Sequence, residues 1–159
     1  MKAQMRARKA ENDLRKEDRT VRERFATDEE AFRHELFPAW VDRVDPHDKP
    51  RYRLGRFAIG PKFLPSFRSH PEDQRAKALK ALVDLLTGRK ELMDKRNPHV
   101  LRQGRGAEGP PQARARDGAA YWRMSVERNT AAARRVHYLK LPDGGLELHE
   151  LVPHEVTQP

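Results

Sequence analysis

The sequence predicts an α+β fold, in which helices come first and an antiparallel sheet follows. Apolar residues recur at helical spacing in the first half, strand-like alternation fills the last quarter, and residues 142–145 (PDGG) give a strong hairpin signal. The 159 residues correspond to one ordinary domain with an appendage. A chain of this composition buries a single modest core.

The first predicted helix covers residues 1 to about 24. This segment alternates charges, contains neither Pro nor Gly, and places Glu11 one turn before Arg15. Its thin apolar stripe consists of Met1, Met5, Leu14 and Val21. The spacing therefore predicts an exposed helix.

A second, shorter helix is predicted to follow and to dock through a stronger apolar face. Thr27 and Glu30 have the spacing of a capping box, and a run of apolar residues interrupted by a proline comes next. The Pro- and Asp-rich residues 44–50 then mark a boundary. We expect residues 1–50 to form a helical extension and residues 51–159 to form the main α+β domain.

The main domain is predicted to begin with a strand and two helices. Residues 52–59 carry the strand pattern, and a short helix or turn is expected from Phe63 to near Ser69. The next helix is the most clearly marked element, because Pro71 and two carboxylates begin it and Gly88 ends it. Its apolar residues recur in steps of three and four, which predicts one buried face.

The rest of the chain is predicted to be a long loop followed by antiparallel strands. Residues 89–112 lose periodicity and collect Gly and Pro, which is typical of a loop. Strand-like alternation then returns in residues 121–127, 134–141 and 146–152. In the first of these strands Trp122 and Met124 share the core face, so Arg123 points the other way.

Composition excludes several classes of protein. The chain has no cysteine, which rules out disulfides, iron–sulfur clusters, thiolate zinc sites and a cysteine nucleophile. No apolar run is long enough to cross a bilayer and no secretory signal is recognisable, so we expect a cytoplasmic protein without a membrane partner. The seven histidines lack metal-ligand spacing, and no Gly-rich phosphate loop is present, so we expect neither a metal nor another cofactor.

The net charge of +9 is concentrated in one part of the chain. Residues 89–140 hold thirteen basic and five acidic residues, a net charge of +8, whereas residues 1–36 are nearly neutral. An ordinary solvated face contains both basic and acidic residues. Such a face accounts for the first few basic residues of this stretch. The stretch from Arg102 to Arg116 is better explained by a phosphate-binding surface, because Arg forks match phosphate oxygens.

Three segments of the main domain follow one another in a recognisable order: a helical pair over residues 63–88, RARDGAAYWRMSV at 114–126 and LHELVPH at 148–154. This succession resembles the RelE/ParE superfamily of small bacterial toxins, of the RelE/HigB kind, over about residues 52–156. The resemblance implies a twisted antiparallel sheet with a helical hairpin on one face and a basic concave surface on the other. Residues 1–50 and the long Gly- and Pro-rich loop depart from the family.

The resemblance also implies an activity. The chain would be the toxin of a type II toxin–antitoxin system, an endoribonuclease that cleaves mRNA on the ribosome without a metal. Such cleavage needs a base for the ribose 2′-hydroxyl, cations for the charge on the phosphorane and an acid for the leaving 5′-oxygen. The partners would be mRNA, the ribosome and a cognate antitoxin protein.

The candidate site residues fall into two groups. The catalytic candidates are Arg123, His154, His149 and Glu127. The candidates for binding RNA phosphates are Arg102, Arg105, Arg114 and Arg116. Arg123 is assigned the transition-state charge because it points away from the core, and a His can act as acid or base near neutral pH. Arg114 and Arg116, two apart on an expected strand, would share one face.

Other roles fit the same residues. Arg123 could instead pair across the sheet with Glu147, Glu127 could simply pair with Arg123, and His154 could be an ordinary surface residue. His137 is interpreted as structural because it lies among strand residues. The basic face would equally serve a non-catalytic RNA- or ribosome-binding protein, and some proteins of the superfamily inhibit a topoisomerase by direct contact.

Overall fold

The computed structural model describes residues 2–23, 25–104, 108–127, 130 and 133–159, with the backbone alone at residues 14 and 16–23. Its helices are α1 (Lys2–Glu23), α2 (Asp28–Arg43), α3 (Phe63–Arg68), α4 (Glu72–Thr87) and α5 (Lys90–Asp94). Its strands are β1 (Phe57–Ile59), β2 (His99–Val100), β3 (Ala120–Ser125), β4 (Arg134–Lys140) and β5 (Leu146–Pro153). The predicted α+β fold class is confirmed.

The chain divides into two compact units, Met1–Glu35 and Leu36–Pro159. In the first unit α1 carries the predicted pair of Glu11 and Arg15, whose charged atoms lie 3.3 Å apart. Thr27 Oγ1 accepts a hydrogen bond from the backbone N–H of Glu30 at 3.1 Å, which is the predicted cap of α2. The division of the chain at residue 50 stays a prediction.

The second unit is built on a five-stranded sheet with the strand order β1-β5-β4-β3-β2. The pairs from β2 to β5 are antiparallel, as predicted. β1 instead runs parallel to β5, with Phe57 opposite Leu146. Parallel neighbours need a crossover connection, and the rest of the unit supplies it here. The sheet is therefore mixed rather than wholly antiparallel.

One face of the sheet carries most of the sheet's share of the hydrophobic core. Its buried side chains come from β3, β4 and β5 and are Met124, Val136, Tyr138, Leu148 and Leu151. α3 and α4 contribute fully buried side chains such as Phe63, Phe67 and Leu82. α3 is also hydrogen-bonded to the sheet, because Ser66 Oγ accepts from the backbone N–H of Leu151 at 2.9 Å. α4 ends at Gly88, whose φ of 66° is the left-handed cap expected there.

The segment predicted as a long loop contains two short elements. α5 and β2 both lie within residues 89–112, and β2 pairs with β3 so that His99 lies opposite Arg123. A helix of five residues and a strand of two residues are too short to leave a periodic pattern in the sequence. The prediction of an uninterrupted loop was therefore wrong.

The strand expected at Arg114 and Arg116 is replaced by a turn. The backbone N–H of Gly118 donates to the carbonyl of Arg114 at 2.7 Å, and the φ of Gly118 is 72°, a left-handed value that favours glycine. Asp117 Oδ1 accepts from the backbone N–H of Ala119 at 3.1 Å and closes the turn. Arg114 and Arg116 therefore do not share the face of a strand.

Asp84 on α4 is 1 % exposed and binds two arginines that come from other elements. Arg43, at the end of α2, donates from Nε and Nη2 at 2.7 and 2.9 Å. Arg96 donates from Nε at 2.8 Å and also reaches the carbonyls of Ser125 and Val126, at 3.1 and 3.0 Å. One carboxylate thus connects α2, α4, the segment after α5 and the end of β3.

Removing this carboxylate should strongly destabilise the second unit. Asp84→Ala leaves two guanidinium groups without their anion in a partly desolvated site, and we expect the free energy of unfolding to fall by about 3–5 kcal/mol. Urea unfolding followed by circular dichroism measures the effect. Asp94→Ala, which removes only the exposed pair with Lys90, is the matched control and should leave the urea midpoint unchanged. Equal midpoints for the two variants would contradict this prediction.

Candidate functional site

The sheet face opposite Met124, Val136 and Tyr138 carries a row of polar side chains, beside the buried Leu139 and Val152. The strand register places His99 opposite Arg123, Arg123 opposite His137, and His137 opposite Glu150. Residues directly opposite one another on neighbouring strands project from the same face. We name these four residues the polar row. It crosses β2, β3, β4 and β5 in turn.

A β-bulge adds His149 to the polar row. The register shifts between His137 and Tyr138, so that β5 has one extra residue at this point. The ring of His149 lies edge-on to that of Tyr121, with centroids 5.1 Å apart. Burial lowers the pKa of His149 below its ordinary value, and the positive charge of Lys62 adds a smaller effect in the same direction. His149 is therefore neutral near pH 7 and able to accept a proton.

His137 lies at the centre of this group and is completely buried. Neither of its ring nitrogens has a hydrogen-bond partner within the described part of the chain. Burial, followed by the charges of Arg123, His149 and His99, lowers the pKa of His137 to about 4. The imidazole is therefore neutral under physiological conditions.

Arg123 has no carboxylate partner among the residues that the structure describes. Its Nη2 donates to the backbone carbonyl of His154 at 2.5 Å, and its Nε is buried without an acceptor. Burial and the nearby charge of Arg135 lower the pKa of Arg123. A half-buried cation that is bonded only to a neutral carbonyl retains its capacity to bind an anion.

The two carboxylates considered as partners for Arg123 lie in other interactions. Glu147 binds Arg114 at 2.5 Å and is 3.7 Å from Arg116. Glu127 follows the end of β3, and its Oε2 lies 3.5 Å from Thr130 Oγ1. The alternatives that pair Arg123 with either carboxylate are therefore wrong.

His154 reaches Arg123 through its backbone rather than its imidazole. Its N–H donates to the carbonyl of Ala133 at 3.1 Å, and its carbonyl accepts from Arg123. The side chain of His154 is exposed to solvent. No described residue forms a hydrogen bond or ion pair with this imidazole.

The arginines predicted to bind phosphate differ in their exposure and in whether carboxylates already balance their charges. Arg114 is 16 % exposed and donates to both oxygens of Asp117, at 3.1 and 2.8 Å, as well as to Glu147. These bonds raise the pKa of Arg114 and lower that of Asp117 to about 2. Arg116 is 70 % exposed. Arg114 is thus balanced by two carboxylates, whereas Arg116 projects into solvent.

Arg102 lies beside an open groove next to β2. It donates to the carbonyl of Gly109 at 3.0 Å and is half-buried. The groove has a volume of about 950 Å³ and is also lined by His99, Trp122 and Gln158. Arg105 lies outside the described residues.

Sequence reasoning did not select His99 and Arg135 as site residues. His99 belongs to a strand of two residues, which no periodicity reveals. Arg135 could have been found, because alternation along β4 puts it on the same face as His137. The signal for His99 required the pairing of β2 with β3, which only the folded sheet provides.

The described residues bring together no group of three His, Asp or Glu side chains that could bind a metal ion. Within the same residues, no helix has both the length and the apolar character needed to span a bilayer.

Comparisons with known proteins were made for the whole chain. No protein-family model matches it, and no curated protein is similar to it in sequence. Among solved structures, the chain is similar to one from the archaeal RelE–RelB complex of Pyrococcus horikoshii OT3, with 17 % identity and a TM-score of 0.43. The match covers 65 % of this chain and 98 % of the other.

The buried His137 should make stability depend on pH. Its pKa of about 4 lies below the value of 6.5 for a solvated imidazole, so the unfolded chain binds more protons between these pH values. We expect the free energy of unfolding to be highest above about pH 6.5. Between about pH 6.5 and pH 4 it should fall by up to ~1.4 kcal/mol per pH unit. Urea unfolding at several pH values measures the slope.

Two substitutions separate His137 from other titrating groups. His137→Phe should reduce the slope, whereas His47→Phe, at an exposed histidine, should leave it as in the wild type. An unchanged slope in His137→Phe would show that His137 is not the group responsible.

Proposed function

We propose that this chain is a metal-independent endoribonuclease, the toxin of a type II toxin–antitoxin system that cleaves mRNA. The observation that carries the proposal is the arrangement around Arg123. This cation has no carboxylate partner in the described part of the chain, lies between His99 and His137 in register, and is joined by His149 from the bulge. RNA cleavage through the 2′-hydroxyl requires such a combination of a cation and proton-transfer groups.

Arg123 is proposed to stabilise the charge of the phosphorane. Its guanidinium is half-buried, and the desolvation that lowers its pKa also strengthens its attraction for an anion. A phosphate oxygen carries more negative charge than the backbone carbonyl that Arg123 now contacts. Bonds to the phosphate would therefore be stronger than the present bond.

His149 is proposed as the base that takes the proton of the 2′-hydroxyl. Its lowered pKa keeps it neutral at physiological pH, and its Nε2 is buried without a hydrogen-bond partner. The exposed imidazoles of His154 and His99 are candidates for the acid that protonates the 5′-oxygen. Glu127 is a weaker candidate for proton transfer, because it lies beyond the end of β3.

The flanking phosphates of the RNA are proposed to meet Arg116, Arg102 and Arg135. Arg116 is the most exposed of these, and Arg135 lies near enough to Arg123 to lower its pKa. Arg114 is proposed to support the turn that presents Arg116, since two carboxylates already balance its charge. Binding of this kind should weaken as salt rises.

The proposed partners follow from the proposed reaction. A nuclease that cleaves mRNA acts in the cytoplasm, where it meets the ribosome, and a cell that carries it needs an antitoxin protein to hold it inactive. A short reading frame next to the gene is therefore expected to encode that antitoxin.

Loss of the Arg123 cation should abolish toxicity. We expect the wild-type chain, expressed alone, to arrest growth and to fragment mRNA, and Arg123→Ala to relieve both effects. Arg56→Ala is the matched control and should remain toxic. It removes an exposed arginine whose ion pair with Asp143, at 3.6 Å, is also exposed. Primer extension on total RNA maps the cleavage. The proposal fails if the wild-type chain leaves growth and mRNA intact.

Loss of the His149 base should slow cleavage without loosening RNA binding. Removing a general base typically lowers kcat by about 10²–10⁴-fold. We expect His149→Asn to lower kcat in that range with little change in KM, and activity of the wild type to survive EDTA. Product ends should be 2′,3′-cyclic phosphates. A cleavage rate unaffected by His149→Asn would remove this residue from the mechanism.

The same assays separate the two competing functions. Salt-dependent RNA binding with no cleavage products would indicate a non-catalytic RNA- or ribosome-binding protein. Inhibition of DNA supercoiling with RNA left intact would indicate a topoisomerase inhibitor.

A further inference from the structure

Residues 154–159, which we name the C-terminal segment, begin at the polar row. The segment leaves β5 with the backbone of His154 bonded to Ala133 on one side and to Arg123 on the other. Further along, Gln158 Oε1 accepts a hydrogen bond from Gln112 Nε2 at 2.8 Å. Thr157 and Gln158 line the same groove as His99.

The C-terminal segment supplies hydrogen-bond partners for only part of the polar row. Arg123 Nη2 has the carbonyl of His154, but Arg123 Nε is buried without an acceptor. Both ring nitrogens of His137 and Nε2 of His149 are buried and unpartnered as well. A neutral imidazole carries one N–H and one acceptor nitrogen, so each of these histidines can donate one hydrogen bond and accept another. These buried nitrogens therefore lack partners in the described part of the chain, and Arg123 Nε, which can only donate, lacks an acceptor.

A phosphate oxyanion has the chemistry that this site lacks. It supplies several strong acceptor oxygens and a negative charge, which a guanidinium binds through charge-assisted hydrogen bonds. No carboxylate in the described part of the chain bonds Arg123, so an anion would not have to displace an internal counterion. Only a neutral backbone carbonyl occupies the position at Nη2.

The C-terminal segment is held by few contacts. Its described side chains from His154 to Gln158 are exposed, including Val156. Apart from the local turn in which Val156 N–H donates to Pro153, its hydrogen bonds to other described residues are the two at His154 and the one at Gln158. Segments without buried apolar anchors open readily from a folded protein. Release of this segment would leave the sheet itself intact.

We propose that the C-terminal segment occupies a phosphate-binding site centred on Arg123, and that this site takes a phosphate oxyanion when the segment is released. That the natural oxyanion is an RNA phosphodiester rests on the proposed function; the site's affinity for inorganic phosphate does not. The segment thereby limits access to the site from within the same chain.

Weakening the contact at Gln158 should strengthen phosphate binding. Gln158→Ala removes the bond to Gln112 at an exposed residue outside the helices, the strands and the core. We expect the Kd for inorganic phosphate, measured by isothermal titration calorimetry, to fall about fivefold, the effect of one net hydrogen bond. Gln103→Ala, at an exposed glutamine, is the matched control and should bind like the wild type. Arg123→Ala should abolish binding.

Locking the C-terminal segment should have the opposite effect. The chain contains no cysteine, so the double variant Gln112→Cys with Gln158→Cys can be joined specifically by a short bismaleimide. We expect the cross-linked protein to bind phosphate at least about tenfold more weakly than the same variant capped with N-ethylmaleimide. Equal phosphate affinity of the locked, capped and Gln158→Ala proteins would overturn the proposal, as would binding that survives Arg123→Ala.

RNA cleavage by the same proteins separates this inference from the proposed function. Changed phosphate affinity with no RNA cleavage by any variant would support the occupied site and refute the nuclease. RNA cleavage at equal rates by locked and capped protein would support the nuclease and refute the occupied site.

Discussion

The rest of the second unit depends on the ion pairs that the buried carboxylate of Asp84 forms with Arg43 and Arg96. The carboxylate binds Arg96, and Arg96 in turn holds the carbonyls of Ser125 and Val126, while its own carbonyl accepts from the backbone N–H of Ser125 at 2.8 Å. This fixes the end of β3 against the segment that leads into β2. His99 pairs with Arg123 a few residues further along. The ion cluster around Asp84 therefore helps to set the strand register of the polar row.

The excess of positive charge is divided between folding and the candidate site. Arg96 and Arg114 lie in the Arg-rich part of the chain, but both are mostly buried and bound to carboxylates. Buried cations need such partners, since desolvation would otherwise be costly. Arg123 differs from them because its partner is a backbone carbonyl. The net charge of the region thus overstates the cations available to a polyanion, and the burial of each arginine decides its role.

Much of the fold could be predicted from local pattern, and less of the site. α4 with its Gly88 cap, α3 and the strands β3 to β5 follow from periodicity and turn residues, which act between near neighbours. Arg123 was identified for the same reason, since alternation alone sets its face. The turn at Gly118 was missed because the alternation of Arg114 and Arg116 resembled a strand, and its Asx-type closure by Asp117 was not recognised.

The sequence by itself determined the α+β class, the location of the basic excess and the outward direction of Arg123, because these depend on residue type and short-range spacing. Only the tertiary structure decided which groups surround Arg123. His99, His137 and the carbonyl of His154 reach it through strand pairing and the path of the C-terminal segment. The bulge that adds His149 likewise depends on the pairing of β4 with β5. Such contacts join residues far apart in the chain, and no local pattern encodes them.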